Sequence, residues 1–278
     1  MKIFNGKKEA NKILRELKDI ISKENLTPHL AVILIGNDKP SHLYVDLKRK
    51  AAESIGVGFS LYEYSSAINE DLILDKIEEI NNDKSIQGVI IQLPLPFKFN
   101  ILNIISKIDP RKDVDGFHQK NIDAIKLGKP IIKPVLPNVI FCILNKAYKR
   151  GFDKKRVKAL VNSDLFGEIL KNFLFFENIN VEILVDKKYS AKKISEFTKD
   201  ADILISVLGR PNIIKSNMLK EKTILIDAGI KKKGKIVYGD IDFKNLDNKA
   251  VFVTPVPGGV GPMTVAMLLK NVVDLSRY

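Results

Sequence analysis

Apolar positions along the chain switch repeatedly between helical and strand periods. In residues 6–24, Ile13, Leu14, Leu17, Ile20 and Ile21 recur at helical spacing and predict one buried face. Residues 30–35 form a continuous apolar run ended by Gly36, the pattern of a strand buried on both faces. Residues 41–55 return to helical spacing, with Ser41 placed as N-cap and Gly56 as stop. Strand 58–64, helix 72–81 and buried strand 88–93, closed by Pro94, follow. A second series begins near residue 138, with helices over 139–149, 167–177 and 191–198. Its strands are predicted over 159–161, 181–185, 203–207 and 223–227, with short ones over 237–240 and 251–253. Such alternation predicts an α/β fold of parallel sheets covered by helices. Residues 109–137, rich in Pro, Gly and Lys, separate the two series and are expected to form an inter-domain cleft region.

Composition narrows the picture. At 278 residues the chain is long enough for two domains. No apolar run approaches the roughly 18 residues of a membrane span. The start, Met1 to Lys7, is polar within a few residues and does not read as a signal peptide. Cys142 is the only cysteine, which suits a reducing cytoplasm. With three histidines besides, no dedicated metal site is expected. The net charge of +13 raises nucleic acid as a partner, yet the lysines are dispersed and no basic-aromatic motif accompanies them. A solvated basic surface is the preferred reading, with neither nucleic acid nor membrane as partner.

Several segments carry candidate chemistry. Residues 254–264 read Thr-Pro-Val-Pro-Gly-Gly-Val-Gly-Pro-Met-Thr, directly before an apolar helical run over 265–275. The glycines allow very close backbone approach, and Pro262 suits a first helical turn. The same string could equally be a tight turn. Tyr44 and Lys48 lie four residues apart and share a helix face. A phenol beside an amine can handle protons, since burial lowers a lysine's pKa; a surface lysine beside a half-buried tyrosine is the plainer reading. Gln92 ends an apolar strand, where ligands of open α/β sheets gather, or it caps its own strand. In Lys112-Asp113-Val114-Asp115-Gly116 two carboxylates precede a glycine. A carboxylate can take paired hydrogen bonds from a guanidine-like edge such as a pterin's, or simply form an Asx-turn.

Tyr-x-x-x-Lys, Gln-Leu-Pro-Leu-Pro, Lys-Asp-Val-Asp-Gly and Pro-Val-Pro-Gly-Gly-Val-Gly-Pro-Met-Thr together, in this order, resemble the bifunctional methylenetetrahydrofolate dehydrogenase/methenyltetrahydrofolate cyclohydrolase family. The resemblance runs over essentially the whole chain. It implies an N-terminal α/β catalytic domain over 1–117, a Rossmann-type dinucleotide-binding domain over 118–253, and a C-terminal segment, 254–278, returning to the first domain. It also implies that Lys48 is the central catalytic residue, with Gln92 tuning it. Tyr44 would stack near the pterin, Asp115 would hold the pterin edge, and Pro257, Gly258 and Gly259 would line the folate site. A tetrahydrofolate derivative as substrate, NADP as cofactor and a homodimer formed through the cofactor domain follow from the same resemblance.

The cofactor turn departs from the family pattern. After the first strand of the second series the family has Gly-[Arg/Ala]-Ser-x-x-Val-Gly-[Lys/Arg]-Pro; here Val161 replaces the first Gly, Asn162 the Arg/Ala, Glu168 the basic residue and Ile169 the Pro. Ser163 and Gly167 remain. Val161 is expected to bring bulk toward the dinucleotide, and Asp164 and Glu168 to repel its phosphates. Asp186 lies 19 residues beyond Gly167 (186 − 167), where a Rossmann acid binds a ribose diol and favours NAD. Lys187 and Lys188 would instead suit the extra phosphate of NADP. Residues 133–137, Lys-Pro-Val-Leu-Pro, also lack the family's Thr. Gly209 and Ile230, each at a strand end, are placed by the resemblance near the nicotinamide. The competing expectations are a cyclohydrolase with an impaired cofactor site, an NAD-specific dehydrogenase, and a basic nucleic-acid-binding protein on a relict enzyme fold.

Overall fold

A computed structural model describes residues 1–148, 151–186, 190–234, 236–246 and 249–278. Strand β1 (Lys2–Ile3) leads into helix α1 (Gly6–Lys23), then β2 (His29–Ile35), α2 (Lys39–Ile55), β3 (Gly58–Tyr64), α3 (Glu70–Asn82) and β4 (Gly88–Ile91). Short helices α4 (Ile101–Ser106) and α5 (Gln119–Lys126) precede α6 (Val135–Ala147). The second series runs β5 (Val157–Val161), α7 (Asp164–Phe176), β6 (Val181–Val185), α8 (Ala191–Thr198), β7 (Ile203–Val207) and β8 (Thr223–Asp227). Strands β9 (Lys231–Lys233), β10 (Ile236–Tyr238) and β11 (Ala250–Val253) and helix α9 (Val260–Leu275) complete it. Among the described residues, no helix is long and apolar enough to cross a membrane.

Two compact units result: residues 10–135 with 265–278, and residues 1–9 with 136–264. The first holds a three-stranded parallel sheet, ordered β3-β2-β4. Ile73, Ile77 and Ile80 of α3, spaced for one helix face, pack on Ala31, Ile33, Val89 and Ile91 of the sheet. Helix α2 starts earlier than its apolar spacing predicts. Asp38 is its N-cap, and Ser41, the expected cap, donates its N–H (3.0 Å) and hydroxyl (2.7 Å) to Asp38 instead. Gly56 ends the helix in the left-handed region at φ 87°.

The second unit holds a six-stranded parallel sheet, ordered β1-β11-β8-β7-β5-β6. The chain steps from β5 outward to β6 and then back across β5 to β7. That reversal makes the ends of β5 and β7 the switch point of a doubly wound fold, where such sheets bind ligands. Leu160, Leu204, Leu225 and Val253, from four adjacent strands, share one core with Ile194 of α8.

The boundaries fall away from 117/118 and 253/254. Helix α5, unforeseen in the 109–137 segment, belongs to the first unit. Ile122 and Ile125 are buried, and Asn121 Nδ2 donates to Pro110 O (2.9 Å) and Asp113 Oδ2 (3.0 Å). Residues 254–264 stay with the second unit, because Thr254 Oγ1 accepts from Asp227 N (2.7 Å) and Gly259 packs on Gly6. Strand β1 joins the same unit by pairing with β11. Of residues 254–278, only 265–278 lie in the first unit.

Candidate active site

In the first unit, α2 carries Tyr44 and Lys48 one turn apart, and Gln92 directly follows the last residue of β4, Ile91. The Gln92 N–H donates to Ile33 O (2.8 Å), so the residue continues the ladder with β2 although it lies beyond β4. Its side chain is buried and held at both ends. Nε2 donates to Leu93 O (2.7 Å), and Oε1 accepts from Lys48 Nζ (2.8 Å). The amide therefore fixes the position of the amine. Burial pushes the Lys48 amine below its ordinary value, and the charge of Asp115 only partly opposes this. Burial likewise raises the Asp115 carboxyl to about 6, against the pull of Lys48 and with a push from Asp113. The Tyr44 phenol is raised by burial. Lys48, Gln92 and Asp115 are thus one cluster, with Tyr44 a turn away on the same helix.

The two loop carboxylates divide the work that the motif left open. Asp113 makes the Asx-turn: it accepts from Gly116 N (3.2 Å), His118 N (2.7 Å) and Asn121 Nδ2 (3.0 Å) and is buried. Asp115 takes no part in that turn's side-chain bonds. Asn271 of α9 ties the loop down by donating to Val114 O (2.8 Å) and Lys133 O (2.9 Å). Nothing in the local sequence singles out Asn271, since its partners lie far along the chain. The Pro-Val-Leu-Pro stretch follows at once, and Val135 N bonds Asp115 O (3.2 Å).

Pro257, Gly258 and Gly259 lie in the second unit. A Cβ on Gly259 would stand 2.5 Å from Pro255 O, and a Cβ on Gly6 would stand 1.7 Å from Gly259 O. The close approach signalled by the glycines is therefore, at Gly259, an approach to the start of α1. Gly258, at φ 104°, faces open space.

The phosphate-type turn follows β5. Val161 is fully buried, and its Cγ2 would be 3.1 Å from a Cβ on Gly167. Its side chain therefore packs between sheet and α7, which corrects the expectation of bulk toward a dinucleotide. Gly167 permits that close helix–strand packing, the role of the last glycine in a Rossmann turn. Ser163 caps α7 and accepts from Phe166 N (3.2 Å), while Asn162 is exposed beside it. Asp186 lies just beyond β6, and its N–H donates to Val161 O (2.7 Å). Its carboxylate, 6% exposed, accepts from Arg210 Nη1 (2.6 Å). Lys187 and Lys188 fall outside the described residues.

Two buried carboxylates organise the ends of β7 and β8. Asp240 accepts from Ser206 Oγ, Leu208 N and Arg210 N, each at 2.7 Å. Asp227 accepts from Gly229 N (3.1 Å), Asp240 N (3.1 Å) and Ile241 N (2.9 Å). Burial and the neighbouring Asp240 raise Asp227 to about 7. The loops so held meet: a Cβ on Gly209 would be 3.4 Å from Ile230 O, and one on Gly261 3.9 Å from Ile230 Cδ1. Gly209, Ile230 and the glycine-rich loop thus converge on the C-terminal edge of the sheet.

A partly buried lysine whose amine is poised by an amide, and a doubly wound nucleotide-type sheet, define a two-unit enzyme of the dehydrogenase kind. Residues 4–115 match the family model described as tetrahydrofolate dehydrogenase/cyclohydrolase, catalytic domain, and residues 134–278 match its NAD(P)-binding domain. The chain belongs to the tetrahydrofolate dehydrogenase/cyclohydrolase family. It is 39% identical to the bifunctional protein FolD of Bacillus subtilis, over 99% of this chain and 97% of that relative. It is 38% identical to the FolD of Nitratiruptor sp., over 100% of this chain and 98% of that relative. Among solved structures, the Campylobacter jejuni enzyme superposes with a TM-score of 0.90 at 34% identity, covering 100% and 99% of the two chains. The Trypanosoma brucei enzyme, solved with NADP and an inhibitor, gives 0.92 at 28% identity, covering 99% and 97%.

Proposed function

We propose that this chain oxidises 5,10-methylenetetrahydrofolate with NADP and hydrolyses the resulting 5,10-methenyl compound to 10-formyltetrahydrofolate. The observation that carries the reading is the partly buried Lys48, its amine lowered in pKa by desolvation and fixed by Gln92. A neutral amine at this point can take a proton from water adding to the methenyl carbon. The same group, now an ammonium, can return that proton to the ring nitrogen that leaves. Asp115 provides an acceptor for the pterin's guanidine-like edge, and Tyr44 a face beside it. Oxidation moves no proton, because both flanking nitrogens stabilise the methenyl cation. Lys48 therefore serves that step by positioning rather than by acid–base work.

The second unit fits a dinucleotide. Asn162 and Ser163 are exposed at the N-terminus of α7, where free N–H groups favour phosphate, and Val161 keeps clear of it. Gly209 and Ile230 would border the nicotinamide, and NADP, when bound, supplies the two-electron acceptor. Asp186 would lie toward the adenosine ribose. The reading extends to a cytoplasmic homodimer joined through this unit, which sedimentation velocity would test. The deciding experiment supplies methylenetetrahydrofolate with NADP or NAD to the purified chain and separately follows loss of methenyltetrahydrofolate. Both reactions are expected, with NADP the better acceptor. Hydrolysis without reduction of either dinucleotide would leave a cyclohydrolase alone.

A further inference from the structure

We propose that Arg210 sets the choice of dinucleotide, by neutralising Asp186 and presenting its guanidinium to the ribose phosphate that distinguishes NADP from NAD. The inference rests on the reading that this unit binds a dinucleotide. An acid just beyond the second strand of a Rossmann unit ordinarily accepts from the two ribose hydroxyls and repels a phosphate there. Asp186 occupies that place, beyond β6 and bonded through its N–H to Val161 at the end of β5. Left alone, its charge would select NAD.

Arg210 alters that outcome. It leaves the end of β7, yet β5 lies between β7 and β6, so it reaches over two strand spacings, about 10 Å, to meet Asp186. The reach is built in. Asp240 holds the Arg210 N–H at 2.7 Å and the Leu208 N–H at 2.7 Å, and Gly209 between them takes φ 69°. Asp240 is itself fully buried. The guanidinium is 35% exposed and the carboxylate 6%, so the positive partner of the pair is the one that faces a ligand. A planar fork can serve a carboxylate on one edge and a phosphate on another. Neither position of the phosphate turn where the family pattern admits a basic residue carries one here: Asn162 stands at the Arg/Ala position and Glu168 at the Lys/Arg position. Arg210 supplies a cation to the same region from a different strand.

The test is calorimetric titration of the purified full chain with NADP and with NAD, for the natural protein, Arg210→Gln, Asp186→Asn and the Lys187→Ala/Lys188→Ala pair. Arg210→Gln should weaken NADP by about tenfold or more, the loss expected for a bond to a charged group, while NAD holds or gains. Asp186→Asn should weaken NAD and spare NADP. Melting followed by circular dichroism shows whether each variant is folded. The Asp186→Asn arm decides the matter should Arg210→Gln unfold. An unchanged ratio of the two affinities in Arg210→Gln, or a loss of NADP only in the double lysine variant, overturns the inference and leaves the proposed function standing. A natural protein that binds neither dinucleotide overturns the dehydrogenase reading itself, and this inference with it.

Discussion

The two units hold their chemistry by different means. In the unit of residues 10–135 and 265–278, the proposed site is a set of side chains: Lys48, Gln92, Asp115 and Tyr44, each with a specific functional group. In the other unit the site is mostly backbone, shaped by side chains that face away from it. Val161 packs inward, Asp240 and Asp227 gather N–H groups from beneath, and Gly209 and Ile230 are brought together by the loops so held. The difference teaches why one motif is preserved and the other drifts. A side-chain site fails when its functional group is exchanged. A backbone site tolerates exchange wherever the path of the chain survives, so Val161 and Asn162 can stand in a turn that the family builds from Gly and Arg or Ala.

The sharpest way to break the comparison is Lys48→Met, which keeps the length of the side chain and removes the amine. Hydrolysis of methenyltetrahydrofolate should fall by about 10²–10⁴-fold, the range for losing a positioned acid–base group. Oxidation, which moves no proton, should fall far less, and NADP binding should not change. Absorbance of the methenyl compound follows the first activity and nucleotide reduction the second. Equal losses in both would mean that Lys48 only shapes the pocket.

The backbone site has its own weak point beneath the loops. A Cβ on Gly229 would lie 2.0 Å from the Asp240 carboxyl carbon, and three donors hold that carboxylate in place. Gly229→Ala should therefore destabilise the second unit by about 3 kcal/mol, the upper end of the overpacking range. NADP affinity should fall with it. Urea unfolding would show the lower midpoint; an unchanged midpoint would mean that the carboxylate pair gives way easily.

How much of this was legible along the chain follows the same division. Most helices and the longer strands announce themselves by periodicity; the Lys48 cluster is legible only through the ordered motifs of the family resemblance, since its residue types alone favour a surface lysine. Strand β1 does not, since Lys2 and Ile3 are exposed and joined to β11 through backbone alone. Helix α5 is short, and two buried isoleucines in a Pro-, Gly- and Lys-rich stretch make too little pattern to read. Ser41 had the right chemistry for a cap and the wrong position. Apart from the bond of Asp113 to Gly116, the roles of Asp113 against Asp115, of Asn271 and of the Arg210–Asp186 pair depend on partners 5 to 157 residues away, which no local spacing encodes.

Returning to the side-chain site, Asp115 gives a pH test with a definite sign. Its carboxyl titrates near 6 in the fold, against 3.8 when free. The folded state therefore keeps the proton longer, and the stability this group contributes is present below about pH 4 and lost as pH rises through 6. Asp115→Asn has nothing to lose over that window. It should match the natural protein near pH 4 and exceed it above pH 7, by at most about 3 kcal/mol and by less to the extent that water reaches the group. Thermal melting of both proteins across pH 4–8 checks this. A variant less stable than the natural protein at pH 8 would show that attraction to Lys48 outweighs burial.

The smallest expected effect on ligand binding is also the most direct test of the backbone reading. If Val161 crowded the dinucleotide, trimming it would tighten NADP. The side chain is instead fully buried, with its methyl group against the space beside Gly167 and its carbonyl occupied by the Asp186 N–H. Val161→Ala should therefore leave the NADP dissociation constant within about twofold, because a change worth much less than 1.4 kcal/mol stays well under tenfold. Its effect should appear in stability, at about 1.5–3 kcal/mol for two buried methyl groups and the space they leave. Titration calorimetry and urea unfolding on the same preparation separate the two quantities. A clear gain in NADP affinity would put the valine at the ligand after all. The turn would then belong with the side-chain sites, where the identity of one residue decides the binding.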